Sequence, residues 1–213
     1  MPSKPNSAGQ MQPYDESTGE YKHFSTFKKP TTYYHGSPNK YIQNFDENLA
    51  GKNVGVDYKG VFFTDNPKFA EDFAYTQIPT SNYSYKRGEK GKVYEANLDL
   101  KHPLDLNNLT EKELNDIKEN YITDDFLGKE KNWKNFKEYI DAGNIQGAKM
   151  YLDINKIAND GKYDGYIADL GGKYKGSNEY VIFKGSQAKI LNPSKVKQIK
   201  EKLKEEKQDD LPF

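Results

Sequence analysis

Three short motifs carry side chains able to do chemistry. The first is His35-Gly36-Ser37, which ends the β-branched and aromatic run Thr31-Thr32-Tyr33-Tyr34. An imidazole at a strand end beside a glycine faces a cleft where a bare backbone N–H is approachable. It can equally be a structural cap or a satisfied core histidine. The second motif is Gly60-Val61-Phe62-Phe63-Thr64-Asp65, with Phe69 and Phe73 just beyond it. Rings gathered around one strand-to-helix turn either pack a core or present two faces to a flat heterocycle. Stacking of that kind adds roughly 0.5–1.5 kcal/mol per pair beyond the buried area. The third is Glu179, which opens the apolar run Tyr180-Val181-Ile182-Phe183 after a glycine-rich stretch at 171–178. Such a carboxylate is either exposed at a strand edge or aimed into a site. His23 and His102 read as incidental, and no second histidine stands at metal-ligand spacing from His35, so no metal site is expected.

Composition removes most other chemistries. The chain has no cysteine, which excludes a disulfide framework, a thiolate metal site and a cysteine nucleophile. Lys+Arg 32 balance Asp+Glu 32, so there is no electrostatic grip for stable nucleic-acid binding. Arg87 is the single arginine, which leaves no cluster of forked donors for phosphates or guanines. No apolar run approaches the roughly 18 residues of a membrane span, and the N-terminus lacks the apolar core of a secretory signal. The expectation is a soluble, cytoplasmic protein without a membrane partner. At 34% hydrophobic residues the core is lean, and Tyr 17 and Phe 11 compensate for it.

The elements that must position these motifs are legible in outline. Residues 1–30 are Pro-, Ser-, Gly- and Gln-rich without apolar periodicity and read as a flexible arm, with docking on another protein as its sharper use. Strands are expected at 31–35, 60–64, 93–100, 103–106, 164–168 and 179–183. Asp65 or Asn66 caps a helix with Pro67 in its first turn, and Phe69, Ala70, Phe73, Ala74 and Gln77 follow helical spacing. Residues 80–90 read as a mobile loop. Thr110 opens a helix through a capping box with Glu113. A second helix carries Trp133 and Phe136, and a third runs through Ala148, Tyr151, Leu152 and Ile157. Residues 193–213 read as an amphipathic helix and tail. Strands and helices alternate without a regular βαβ repeat, so the class is α+β.

Taken in order, the three motifs are far more specific than any one alone. The chain resembles the ADP-ribosyltransferase fold, in the branch named for a His-Tyr-Glu triad. It is most similar to the ADP-ribosyltransferase domains of phage and mobile-element polyvalent proteins. The likeness rests on Tyr-His-Gly-Ser at 34–37, Gly-Val-Phe-Phe-Thr-Asp-Asn-Pro at 60–67, Tyr-Asp-Gly-Tyr-Ile at 163–167 and Asn-Glu-Tyr-Val-Ile-Phe at 178–183. It spans residues 31–191, placing the domain at 31–192. The resemblance implies a split antiparallel β-sandwich core with surrounding helices, and NAD as co-substrate.

Residue by residue, the resemblance implies that His35 bonds a ribose hydroxyl of NAD and that Gly36 holds the nicotinamide carboxamide through backbone groups. Ser37 assists on the adenosine side. Phe62 and Phe73 flank the nicotinamide ring, and Glu179 is the catalytic glutamate. Breaking the nicotinamide–ribose bond passes through an oxocarbenium-like transition state, which a fixed carboxylate stabilises while orienting the nucleophile. Two positions depart from the family. Phe62 replaces the triad tyrosine and loses its hydroxyl. Ser177 stands two residues before the glutamate where arginine-directed relatives carry Glu. The stretch at 171–178 falls where relatives recognise the acceptor, and its glycines imply ordering on binding. The leading expectation is a mono-ADP-ribosyltransferase, phage- or mobile-element-encoded, acting in a bacterial cytoplasm on a macromolecular acceptor such as a host protein. The alternatives are an NAD glycohydrolase and an inactive binding module of a phage or mobile element. A tRNA 2′-phosphotransferase would want several arginines.

Overall fold

A computed structural model describes residues 3–5, 11–15, 20–21, 32–49, 59–81, 84–125 and 127–191. The chain divides into two compact units, Met1–Thr31 and Thr32–Phe213. In the first, strands β1 (Ser3–Pro5), β2 (Met11–Asp15) and β3 (Glu20–Tyr21) pair antiparallel in that order. The expected arm thus carries strand pairing that its sequence does not announce, because backbone groups alone make these bonds. The helix expected at the C-terminus lies outside the described residues.

The second unit opens with β4 (Tyr33–Ser37) and β5 (Val61–Thr64), and helix α1 (Pro67–Asp72) follows. A hairpin of β6 (Tyr75–Ser81) and β7 (Ser84–Lys90) leads to β8 (Lys92–Leu98) and the short β9 (Leu104–Asp105). Four helices come next: α2 (Glu111–Asp116) with a π turn at Ile117–Tyr121, α3 (Lys129–Asp141), α4 (Ile145–Lys149) and α5 (Ile154–Asp160). Strands β10 (Gly165–Asp169), β11 (Asn178–Ile182) and β12 (Ala188–Ile190) close the unit. Seven strands form one sheet ordered β12-β8-β4-β5-β11-β10-β9, antiparallel throughout except for β9 against β10. The fold is α+β, as the sequence implied.

Local chemistry explains most of these bounds. Asn66 is the N-cap of α1, its side chain accepting from the N–H groups of Lys68 and Phe69 at 3.1 and 3.2 Å, with Pro67 next. Thr110 and Glu113 close a complete capping box on α2. Other elements of this unit differ from expectation. Helix α1 stops before Phe73, and Gln77 lies in β6, because Tyr75 and the residues after it pair with β7. That pairing also replaces the loop expected at 80–90 with a strand, held to α1 by the Arg87–Asp72 and Lys90–Glu71 ion pairs. The helix expected through 148–157 is two helices, because Asp153 accepts from the N–H of Lys156 at 2.9 Å and so caps α5 afresh.

Side-chain alternation sends the sheet's residues to two hydrophobic clusters. Tyr33, Val61, Phe63, Tyr94, Ala96, Tyr180 and Ile182 join one. Tyr166, Ala168, Val181 and residues of α3, α4 and α5 join the other, with Phe62 packed against it. Between β4 and β5 the ladder is reduced to one register pair, Tyr34 with Thr64. Beyond that pair the strands part.

Candidate active site

The parting of β4 from β5 is where the three motifs converge. Were the antiparallel register to continue, His35 would face Phe63 and Gly36 would face Phe62. Instead the His35 ring spans the gap, with Nδ1 2.7 Å from the Phe62 carbonyl oxygen. A carbonyl only accepts, so Nδ1 carries the proton and Nε2 keeps its lone pair. The ring lies edge-on to Phe45, with centroids 5.1 Å apart, and tilted against Phe63 at 5.5 Å. This apolar surround pushes the imidazole below its usual 6.5, and the bond to Phe62 only partly opposes the shift. His35 is therefore neutral at pH 7.

That shift sets a sign for stability against pH. The unfolded chain protonates His35 near 6.5, whereas the folded chain resists until lower pH. The stabilisation is therefore complete above 6.5 and is lost as pH falls below it. Urea unfolding of wild type and His35→Gln at pH 7.5 and 5.5 checks this. Wild type should lose more stability on acidification than the variant does; equal losses would contradict the buried neutral ring.

Gly36 lets α1 lie directly on β4. A Cβ there would collide with the Ala70 carbonyl oxygen. Ser37 is buried, and its hydroxyl accepts from the Asn39 N–H at 3.2 Å, forming the turn that leaves β4. Phe62, half-buried, shares its sheet face with Thr64 and, across the register, with Val181 and Glu179. Phe73 caps the C-terminus of α1 and is 47% exposed, with its ring 5.0 Å from that of Phe69. The rings of Phe62 and Phe73 are thus carried by different elements and do not stack on each other.

Glu179 lies on β11 in one row with Tyr34, Thr64 and Ala168, which stand on β4, β5 and β10. It is buried, and its Oε1 accepts the Tyr166 hydroxyl at 2.9 Å and an ion pair from Lys149 of α4. A carboxylate removed from water needs such donors. Neither Lys149 nor Tyr166 stood out in the sequence. Tyr166 belongs to the Tyr-Asp-Gly-Tyr-Ile stretch of the family likeness but carries no assigned role there, and nothing in a Lys-rich chain marks one lysine as the partner of a glutamate 30 positions on.

The start of β11 is fixed by the residues that end β5. Asp65 accepts from the Asn178 N–H at 2.9 Å, and Asn66 donates to the Ser177 hydroxyl at 3.0 Å. Asp65 also takes the Tyr180 hydroxyl at 3.3 Å; burial, then the charge of Asp65, pushes that phenol well above its usual range. The stretch before β11 is held in place in the free chain, contrary to the expectation that it orders on binding. The Asp169 carboxylate ties both ends, taking the N–H groups of Gly171 and Gly176 at 2.6 and 2.8 Å. Its glycines serve turns with positive φ at Gly171, Gly172 and Gly176. Tyr174 lies edge-on to Phe69 at 5.1 Å and donates to Asp72 of α1 at 2.8 Å. That bond leads the causes that hold the Asp72 carboxyl below its usual range, with Lys173 and Arg87 contributing.

Among the described residues no His/Asp/Glu group is arranged to hold a metal ion, and no helix is long and apolar enough to cross a membrane. No curated protein and no solved structure gives a significant match to the chain. One family model matches, described as ADP-ribosyltransferase in polyvalent proteins, over residues 28–198. That span includes every residue of the site at the β4–β5 parting and most of the sequence, so the chain belongs to the ADP-ribosyltransferases of polyvalent proteins.

Proposed function

We propose that the chain is an NAD-dependent mono-ADP-ribosyltransferase that passes ADP-ribose to a macromolecular acceptor, a protein of a bacterial host, and releases nicotinamide. The observation that carries this reading is Glu179. It is a buried carboxylate fixed by two donors on Oε1, on the sheet face of Phe62 and one strand from where β4 and β5 part.

The donor set suits the dinucleotide. His35 Nε2 is an acceptor for a ribose hydroxyl, and the strand edge freed beyond Tyr34 offers backbone groups at Gly36 for a carboxamide. Phe62 and the exposed Phe73 are faces for a flat ring. NAD supplies a glycosidic bond whose cleavage builds positive charge on the ribose. The fixed carboxylate opposes that charge without reorganising, which is where preorganised electrostatics act most strongly. It also accepts the proton of the incoming nucleophile. The aromatic faces hold the leaving ring in its departing orientation. Residues 170–177, pinned by Asp169 and Tyr174, offer a preformed surface for the acceptor. The split core that the family likeness implies would open at this parting within the one seven-stranded sheet.

Incubation with NAD labelled in the ADP-ribose moiety and a bacterial lysate tests this. The expected result is label bound to protein together with free nicotinamide. Free ADP-ribose alone would make the chain a glycohydrolase. No nicotinamide at all, with partner binding that ignores NAD, would make it a binding module, the reading to which the missing hydroxyl at Phe62 points.

A further inference from the structure

We propose that Lys149 and Tyr166 are positioning residues that hold Glu179 by one oxygen and present the other to the substrate, and that α4 couples this clamp to the acceptor-side loop. The inference rests on the function proposed above and deepens it. Strand β10 runs beside β11, and the residue directly across from Glu179 is Ala168, whose methyl leaves room over the carboxylate. The Tyr166 phenol enters that room from the next residue on the same face, and the Lys149 ammonium enters from α4. The ammonium nitrogen also lies 5.4 Å from the centre of the Tyr166 ring, so the three groups brace one another.

Among the described residues both bonds to Glu179 fall on Oε1. Two donors on one oxygen fix the rotation of the carboxylate, and Oε2 is then the oxygen aimed at a ribose hydroxyl. The pair is largely desolvated, with side chains 17% and 10% exposed. A buried carboxylate deprived of its cation is strongly disfavoured and turns to whatever donor is nearest. The ammonium's own positive charge repels the positive charge that develops on the ribose and so works against the carboxylate. It sits on the far oxygen, however, so orientation is the larger effect. Tyr166 further restores to the site a phenolic hydroxyl that Phe62 cannot supply, delivered two strands away in the row of Val181 and Phe62. The same helix reaches the loop: Gln146 donates to the Asp169 carbonyl at 2.7 Å, and the Asp169 carboxylate closes residues 170–177. One short helix therefore sets both the carboxylate and the surface the acceptor meets.

Two measurements test this. Steady-state nicotinamide release is compared for wild type, Lys149→Met, Lys149→Arg and Tyr166→Phe, with Tm recorded for each. Lys149→Met should lower kcat about 30-fold with KM for NAD within about 3-fold, Tyr166→Phe should lower it about 10-fold, and Lys149→Arg should recover most of the loss. A Lys149→Met rate within about 3-fold of wild type, or above it, overturns the clamp, as does a loss that follows Tm and is not rescued by arginine. Independently of NAD, the ammonium resonance of Lys149 in lysine-labelled protein should exchange slowly in wild type and lose that protection in Glu179→Gln. Absence of the protected signal in wild type overturns the clamp. A protected signal in a wild type that releases no nicotinamide overturns the proposed function and the positioning role with it.

Discussion

Glu179→Gln should lower nicotinamide release from NAD by about 10³-fold, roughly 4 kcal/mol of transition-state stabilisation. The substitution keeps the shape and an acceptor for the Tyr166 hydroxyl, and it removes the charge. What is lost is the charge facing the ribose, so the deficit should appear in kcat far more than in KM. The Lys149 ammonium, only 17% exposed, is left beside an amide. A modest drop in Tm should therefore accompany the loss of rate. Activity within about 10-fold of wild type would mean that another group carries the chemistry.

Gly36→Ala should cost about 4 kcal/mol of stability, in the range kept for substitutions that force backbone apart. The added methyl would meet the Ala70 carbonyl, which is main chain within α1 and cannot swing aside as a side-chain terminus does. Helix α1 has to lift from β4, and with it go Phe69, Phe73 and the Asp72 contacts to β7 and Tyr174. For a chain of this length 1 kcal/mol moves Tm by about 2–4 °C, so thermal unfolding should fall by roughly 10 °C. NAD affinity measured well below the new Tm should fall too, since the faces for the nicotinamide shift. An unchanged Tm would show that α1 does not bear on β4.

The sequence shows most clearly what depends on neighbours in the chain. Asn66-Pro67 and Thr110–Glu113 are caps whose partners lie within three residues, and both are realised. Strands β5, β10 and β11 stand out through apolar runs between turn residues. What depends on distant partners is invisible. The Tyr/Ser/Lys stretch of β6 and β7 has no apolar face to reveal it, and its place rests on distant ion pairs such as those of Arg87 and Lys90 with α1. The loop at 170–177 reads as pliant from its glycines, yet one carboxylate at Asp169 fastens both ends. At the proposed site, order and resemblance single out His35, Gly36, Phe62 and Glu179, whereas Lys149 reaches Glu179 through the packing of α4 on β10 and Tyr166 through the pairing of β10 with β11. The structure shows the structural half of what the His35 residue type allows, with Nδ1 satisfying the Phe62 carbonyl across the parted strands, while a ligand at Nε2 belongs to the proposed function.

The most direct measurement is a crystal structure of the Glu179→Gln chain soaked with NAD, in which the slow variant preserves the uncleaved dinucleotide. The nicotinamide ring is expected against Phe62 with its carboxamide on the Gly36 backbone, a ribose hydroxyl at His35 Nε2, and the nicotinamide ribose beside residue 179. NAD bound elsewhere, or its nicotinamide ribose out of reach of residue 179, would contradict the proposed function.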